Sequence, residues 1–205
     1  VAHRQTPLCE EKPAVHVKRT GSSGPRLELE LVDENGITVG TAEKMQAHQA
    51  PGHLHRAFSV FLFNAENKML LQRRALSKYH SPGVWSNSCC GHPHVGEPPP
   101  AAAARRITEE LGTSPSTLEA AGTVRYRHPD ETTGLVEHEF NHLFVGTLSG
   151  AVHPHPDEIA EVSFVDPFEL TRRLTKEPFS VWFRTVLQAA HPYIENLTGT
   201  SWTEA

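Results

Sequence analysis

The chain predicts an α/β fold, an α/β/α sandwich built on one sheet. Apolar segments with period-two alternation recur along it, and segments with helical spacing are interleaved among them. Its 205 residues are enough for one domain with a full core and too few for two large ones.

Residues 1–25 mix charge, Pro, Gly and Ser without apolar periodicity, so a disordered N-terminal tail is expected, with Gly21-Ser22-Ser23-Gly24-Pro25 as a flexible joint. From 26 to 32, Leu27, Leu29 and Leu31 alternate with Glu28 and Glu30, a strand that ends in the turn Asp33-Glu34-Asn35-Gly36. Residues 56–64 place Phe58, Val60 and Leu62 on one face and Ala57, Phe61 and Phe63 on the other. A strand apolar on both faces is covered on both, so this one is expected at the centre of the sheet. Ala65-Glu66-Asn67-Lys68 turns the chain into a second strand at 69–74, a hairpin. Residues 98–111 predict a helix: prolines are tolerated in its first turn, Ala103, Ile107 and Leu111 form the buried stripe, and Gly112 ends it. Strands follow at 123–127 and 135–147 around the turn-rich 129–134. A short strand at 161–165 and helices at 167–174 and 179–190 complete a domain spanning 26–196, with a C-terminal tail from 197.

Composition narrows the function. A net charge of -5 and a pI near 6.3 argue against a nucleic-acid surface, so an anion site must be local and its ligand small. No apolar run approaches the roughly 18 residues of a membrane helix, and the N-terminal segment has no signal-peptide core, which predicts a soluble cytoplasmic enzyme. Cys9, Cys89 and Cys90 form no disulfide framework and include no CxxC pair.

Four sets of side chains point to chemistry. Glu137 and Glu139 stand two apart on a predicted strand, facing one way while His138, Phe140 and His142 face the other. Two carboxylates that close either raise a pKa or bind a cation. Cys90 and His92 share a face in the same manner, with Cys89 opposite as the packed thiol. The start of the helix at 98 lies nearby, and its positive end is expected to lower the Cys90 pKa. His48 and His55 precede the central strand, with His53 as a competitor, and His153 and His155 read as exposed loop residues. With His92 and the two glutamates, His48 and His55 make a donor set suited to Zn, Mn or Fe. The fourth set is cationic: Lys44, Arg73, Arg74, Lys78 and Arg106. Arg74 and Lys78 begin the loop that leads to Cys90, where a diphosphate needs such partners.

The stretch from Cys89 to Gly112 resembles a Nudix box. Gly91, Glu97 and Arg105-Arg106-Ile107-Thr108-Glu109-Glu110-Leu111-Gly112 keep its skeleton, but Arg106 stands where the box has Glu. That segment, together with GTAEKMQAH, LHRAFSVFLFN, LLQRRALSKYHSPGVWSNSCCGHP, RYR, GLVEHE and PFSVWF in order over 27–190, is similar to the type 1 isopentenyl diphosphate isomerases. The resemblance implies a Nudix-like sandwich with a mixed sheet. It implies Cys90 and Glu139 as an acid and base pair, Tyr126 beside the reacting carbons and Trp182 over them. It further implies His48, His55, His92, Glu137 and Glu139 as ligands of a transition metal, Zn2+ or Mn2+. Glu110 would help hold a Mg2+ bridging the substrate diphosphate, with Lys44, Arg74, Lys78 and Arg106 binding that diphosphate. The expected partner is a small allylic or homoallylic diphosphate, with neither nucleic acid nor membrane, and the protein is expected to be a monomer. The rival readings are a Nudix pyrophosphohydrolase, which needs the carboxylate that Arg106 replaces, and a silent diphosphate-binding protein.

Overall fold

The structure, a computed structural model, describes residues 27–78 and 80–202. In chain order its elements are β1 (Glu28–Val32), β2 (Thr38–Glu43), α1 (Lys44–His48), β3 (His55–Phe63), β4 (Met69–Arg74), β5 (Trp85–Ser86), β6 (Cys89–Gly91), α2 (Pro99–Leu111), β7 (Thr117–Asp130), β8 (Leu135–Thr147), β9 (Ile159–Val165), α3 (Pro167–Leu174) and α4 (Phe183–Thr198). The tail expected at 1–25 and Cys9 lie outside the described residues.

Every residue of β3 from Ala57 onward is buried, as its two apolar faces require. Phe58, Val60 and Leu62 pack with Ala102, Ala103, Ile107 and Leu111 of α2. Phe61 and Phe63 pack on the other side with Phe183, Val186 and Ile194 of α4. Helices on both faces of one sheet give the expected α/β/α sandwich. Gly112 closes α2 at φ 61, where a Cβ would lie 2.5 Å from the His153 carbonyl oxygen. No described helix is long and apolar enough to cross a membrane.

The edges of β3 decide where the site forms. Along one edge β8 runs parallel from His55↔Glu139 to Phe63↔Thr147, and β7 pairs antiparallel beyond it. The other edge is shared by β1 at His55, β6 at Phe58 to Val60, and β4 at Phe63. The sheet is therefore mixed. The hairpin expectation needs correction: the turn at 65–68 forms, but β3 and β4 share the single pair Phe63↔Met69, after which β4 pairs with β9 and β5. A full hairpin would fill the edge that β6 occupies.

The last helix also differs from expectation. Residues 179–182 stay outside it, Ser180 N–H donating to the Trp85 carbonyl, and α4 continues past Pro192 to Thr198. Proline in a helix costs about 3 kcal/mol, and the burial of Ala190 and Ile194 on either side opposes that cost. The C-terminal segment expected as a tail from 197 finishes α4, and Trp202 beyond it is 1% exposed, its ring 5.5 Å from that of Phe63. Trp202→Ala should lower unfolding free energy by about 3–5 kcal/mol in a denaturant titration. A loss below about 1 kcal/mol would show that the segment beyond α4 is only loosely attached.

Candidate active site

The site lies at the end of the sheet where β3 begins. β8 turns Glu137 and Glu139 to the same face and buries both. His55 opens β3 directly opposite Glu139, the short helix α1 delivers His48 at its last position, and His92 follows β6. The Nδ1 atoms of His48 and His55 lie 2.8 Å from the carbonyl oxygens of Lys44 and His53. A carbonyl only accepts, so in the neutral rings Nδ1 carries the proton and Nε2 keeps a lone pair. His55 Nε2 is 3.2 Å from His92 Nε2, which is 3.3 Å from Glu139 Oε1. His48 Nε2 and Glu137 Oε2 stand 3.3 Å apart, yet neither buried atom has an aligned hydrogen bond.

Converging lone pairs and orphaned buried acceptors fit a bound cation. Ligand atoms of His48, His55, His92 and Glu139 lie within 4.8 Å of one another, and Glu137 reaches the same imidazole of His48. Nitrogen with carboxylate oxygen suits a divalent transition metal. Burial, aided by His48, brings His55 down to about 3, and burial with Lys44 and His55 holds His92 well below the ordinary range. Both rings are therefore neutral and ready as ligands. The competitor His53 is exposed and contributes only its carbonyl.

The two carboxylates are pushed apart. Burial and the like charge of Glu137 raise Glu139 well above the usual carboxylate range. For Glu137 burial acts the same way, but His48 and His80 outweigh it and hold the carboxyl low. Tyr126 O–H donates to Glu139 Oε2, and Asn141 Nδ2 reaches that same oxygen at 2.9 Å and the Tyr126 oxygen at 3.1 Å. Tyr126, expected beside the reacting centre, is buried against Glu139 through that hydrogen bond.

Cys89 is fully buried against α2, while Cys90 is half-buried and opens to the cavity, so the two thiols divide as their alternation predicts. The expected low pKa does not follow. The first turn of α2 does not line the cavity; the helix presents Arg105, Arg106 and Glu110 to it instead. Burial, opposed by Arg74 and reinforced by Glu110, Glu139 and Glu137, pushes the Cys90 thiol up to about 12. Trp182 lines the same cavity, its Nε1 donating to Asn87 Oδ1 at 3.3 Å.

Lys44, Arg74, Lys78 and Arg106 line the cavity too. Arg74 donates from Nη2 to the His80 carbonyl at 3.0 Å and from Nε to the Ser81 carbonyl at 3.1 Å, its guanidinium 5.6 Å from the Trp182 ring centre. Arg106 pairs with Glu110 at 2.5 Å and with Glu158 at 3.3 Å, and Lys78 donates to the other oxygen of Glu158. Burial raises Glu110, with Glu158 adding to the shift and Arg106 opposing it. Arg73 is exposed and pairs with Glu161 outside the cavity. Sequence reasoning missed His80, Asn87 and Glu158, all in loops; the one signal available was their place inside or beside segments already carrying chemistry.

Residues 53–185 match the NUDIX domain family. The chain is 64% identical over 188 residues to the isopentenyl-diphosphate Delta-isomerase of Streptomyces griseus, covering 92% of this chain and 95% of that protein. It is 65% identical over 173 residues to the protein of that name from Streptomyces coelicolor, covering 84% and 88%. The corresponding protein of Nocardia farcinica is 47% identical over 164 residues, covering 79% and 93%. Among solved structures, DR0079 from Deinococcus radiodurans shares the fold, with a TM-score of 0.64 at 20% identity over 79% of this chain and 96% of that one.

The raised thiol carries a prediction. In metal-free protein, alkylation of Cys90 by iodoacetamide, mapped by mass spectrometry, should quicken about tenfold per pH unit with no plateau below about pH 10. A plateau near neutral pH would mean a thiolate already formed and would contradict the assignment.

Proposed function

The chain belongs to the isopentenyl-diphosphate Delta-isomerases of the Nudix superfamily, and on that premise we propose that it interconverts isopentenyl and dimethylallyl diphosphate through a tertiary carbocation. It is an isomerase of isoprenoid biosynthesis. The observation that carries the chemical reading is the meeting of Cys90, Glu139 and Trp182 in one cavity with Lys44, Arg74, Lys78 and Arg106.

In this reading the four cations hold the diphosphate, which takes over from Glu158 its pairs with Lys78 and Arg106. One proton is added at one end of the five-carbon skeleton and another is removed beside the diphosphate-bearing carbon, so no net proton is consumed. Cys90 and Glu139 form the acid and base pair. The thiol rests protonated; Tyr126 and Asn141 hold one Glu139 oxygen and leave Oε1 toward His92. The indole face of Trp182 lies against the cationic carbons, worth on the order of 2 kcal/mol when desolvated. His48, His55, His92, Glu137 and Glu139 would hold a divalent transition metal, Zn2+ or Mn2+, and Glu110 would help hold a Mg2+; such ions would supply positive charge that lowers carboxylate pKa values and neutralises the diphosphate. A free thiol suits the reducing cytoplasm.

Arg106 argues against hydrolysis. It brings a cation onto Glu110 where a hydrolase box needs another carboxylate.

Incubation with isopentenyl diphosphate, followed for both allylic product and released phosphate, tests the proposal. Product without phosphate is expected; phosphate release would indicate a hydrolase, and neither would indicate a silent binder. Cys90→Ser should lose about 10^2–10^4-fold in turnover, while Cys89→Ala keeps most activity. Equal losses would contradict the division of the thiols.

A further inference from the structure

Glu137 divides its two oxygens between different partners. Oε2 faces His48 Nε2 at 3.3 Å, within the proposed metal centre. Oε1 lies 2.8 Å from Nδ1 of His80, a 5% exposed residue in the loop between β4 and β5. An ionised carboxylate only accepts, so His80 Nδ1–H is the donor. On the other side of the ring, His80 Nε2 stands 3.9 Å from Asp130 Oδ2. Asp130 is itself anchored, accepting from Ser81 Oγ at 2.8 Å and from Thr132 N–H at 3.0 Å. Asp130, His80 and Glu137 thus stand in a buried row, hydrogen-bonded at the Glu137 end and only close in space, at 3.9 Å, at the Asp130 end. It ends on one oxygen of a proposed metal ligand and leaves the other oxygen aimed at the histidines.

We propose that His80 is a positioning residue for Glu137. It occupies Oε1 and fixes the carboxylate rotamer so that only Oε2 is presented to the cation. Hydrogen-bonded partners behind metal ligands act in this way, setting ligand orientation and metal affinity. The backbone of the same residue serves the other half of the cavity, because the His80 carbonyl accepts from Arg74 Nε and Nη2. One loop residue therefore braces both a proposed metal ligand and a proposed diphosphate cation. A side-chain substitution separates the two, since it leaves the carbonyl in place.

The inference rests on the metal reading above, so its test reads metal binding directly. Two amide variants differ by one methylene: in His80→Asn the amide nitrogen falls near the Nδ1 position and still reaches Oε1, whereas in His80→Gln it falls near Nε2 and does not. Metal-free protein is titrated with Mn2+ alone, and free ion is read by electron paramagnetic resonance. His80→Gln should bind Mn2+ about 10–100-fold more weakly than wild type, and His80→Asn within about threefold of it. Inorganic pyrophosphate affinity in the presence of EDTA should be unchanged in both, because it draws on the Arg74 side and on the backbone carbonyl. Equal Mn2+ affinity in wild type and His80→Gln overturns the role of His80 while leaving the metal centre standing. Equal weakening in both variants, or a parallel loss of pyrophosphate affinity, shows a packing role and overturns it as well. A wild-type protein that takes up no Mn2+ overturns the metal reading itself and this inference with it.

Discussion

The structure is organised around two carboxylates buried side by side on one strand. Glu137 and Glu139 project from β8 into the sandwich, where an unpaired charge costs several kcal/mol after relaxation. Their surroundings are arranged to offset that cost. His48 and His80 attend Glu137, His55 and His92 approach Glu139 Oε1, and Tyr126 with Asn141 take Glu139 Oε2. Because these partners come from α1, β3, β7, β8 and the loops after β4 and β6, the site and the topology cannot be separated. The division of one β3 edge among β1, β6 and β4 is the same constraint seen from the sheet: it admits β6, and β6 brings Cys90 and His92.

The same principle governs the cationic side of the cavity. Arg106 and Lys78 are countered by Glu110 and Glu158, and Arg74 by backbone carbonyls and the face of Trp182. A diphosphate entering here meets cations already held in position by partners it can displace, and little side-chain ordering remains to be done. The change in the Nudix box has a physical meaning in this setting. In the proposed function, a cation at 106 stabilises the phosphates without adding the carboxylate that hydrolysis uses, which turns the fold toward chemistry on the carbon skeleton.

Much of this was legible in the sequence where periodicity alone decides. Alternation along β3 sorted Phe58, Val60 and Leu62 from Phe61 and Phe63, alternation along β8 put Glu137 with Glu139, and alternation at β6 separated Cys89 from Cys90. What periodicity cannot report is which loop returns to a site. His80 and Glu158 lie in irregular segments, and nothing local marks them as neighbours of Glu137 and Arg106. The Cys90 pKa was misread because proximity in sequence to the start of α2 was taken for proximity to its dipole, whereas the cavity sees the side of that helix. The helix expected to end at 190 runs on through Pro192 to Thr198, because burial on both sides of a proline is a tertiary fact. The wet face of β7 hid its length in the same way, lacking the alternation that would have announced it.

The central claim is that the buried histidines and glutamates are gathered around one divalent cation. The most direct test is anomalous diffraction at the manganese edge from crystals grown with Mn2+. The account predicts one strong peak at about 2.0–2.3 Å from the Nε2 atoms of His48, His55 and His92, with an oxygen each from Glu137 and Glu139 completing the shell. No peak among these five residues, at a concentration that saturates uptake in solution, would contradict it.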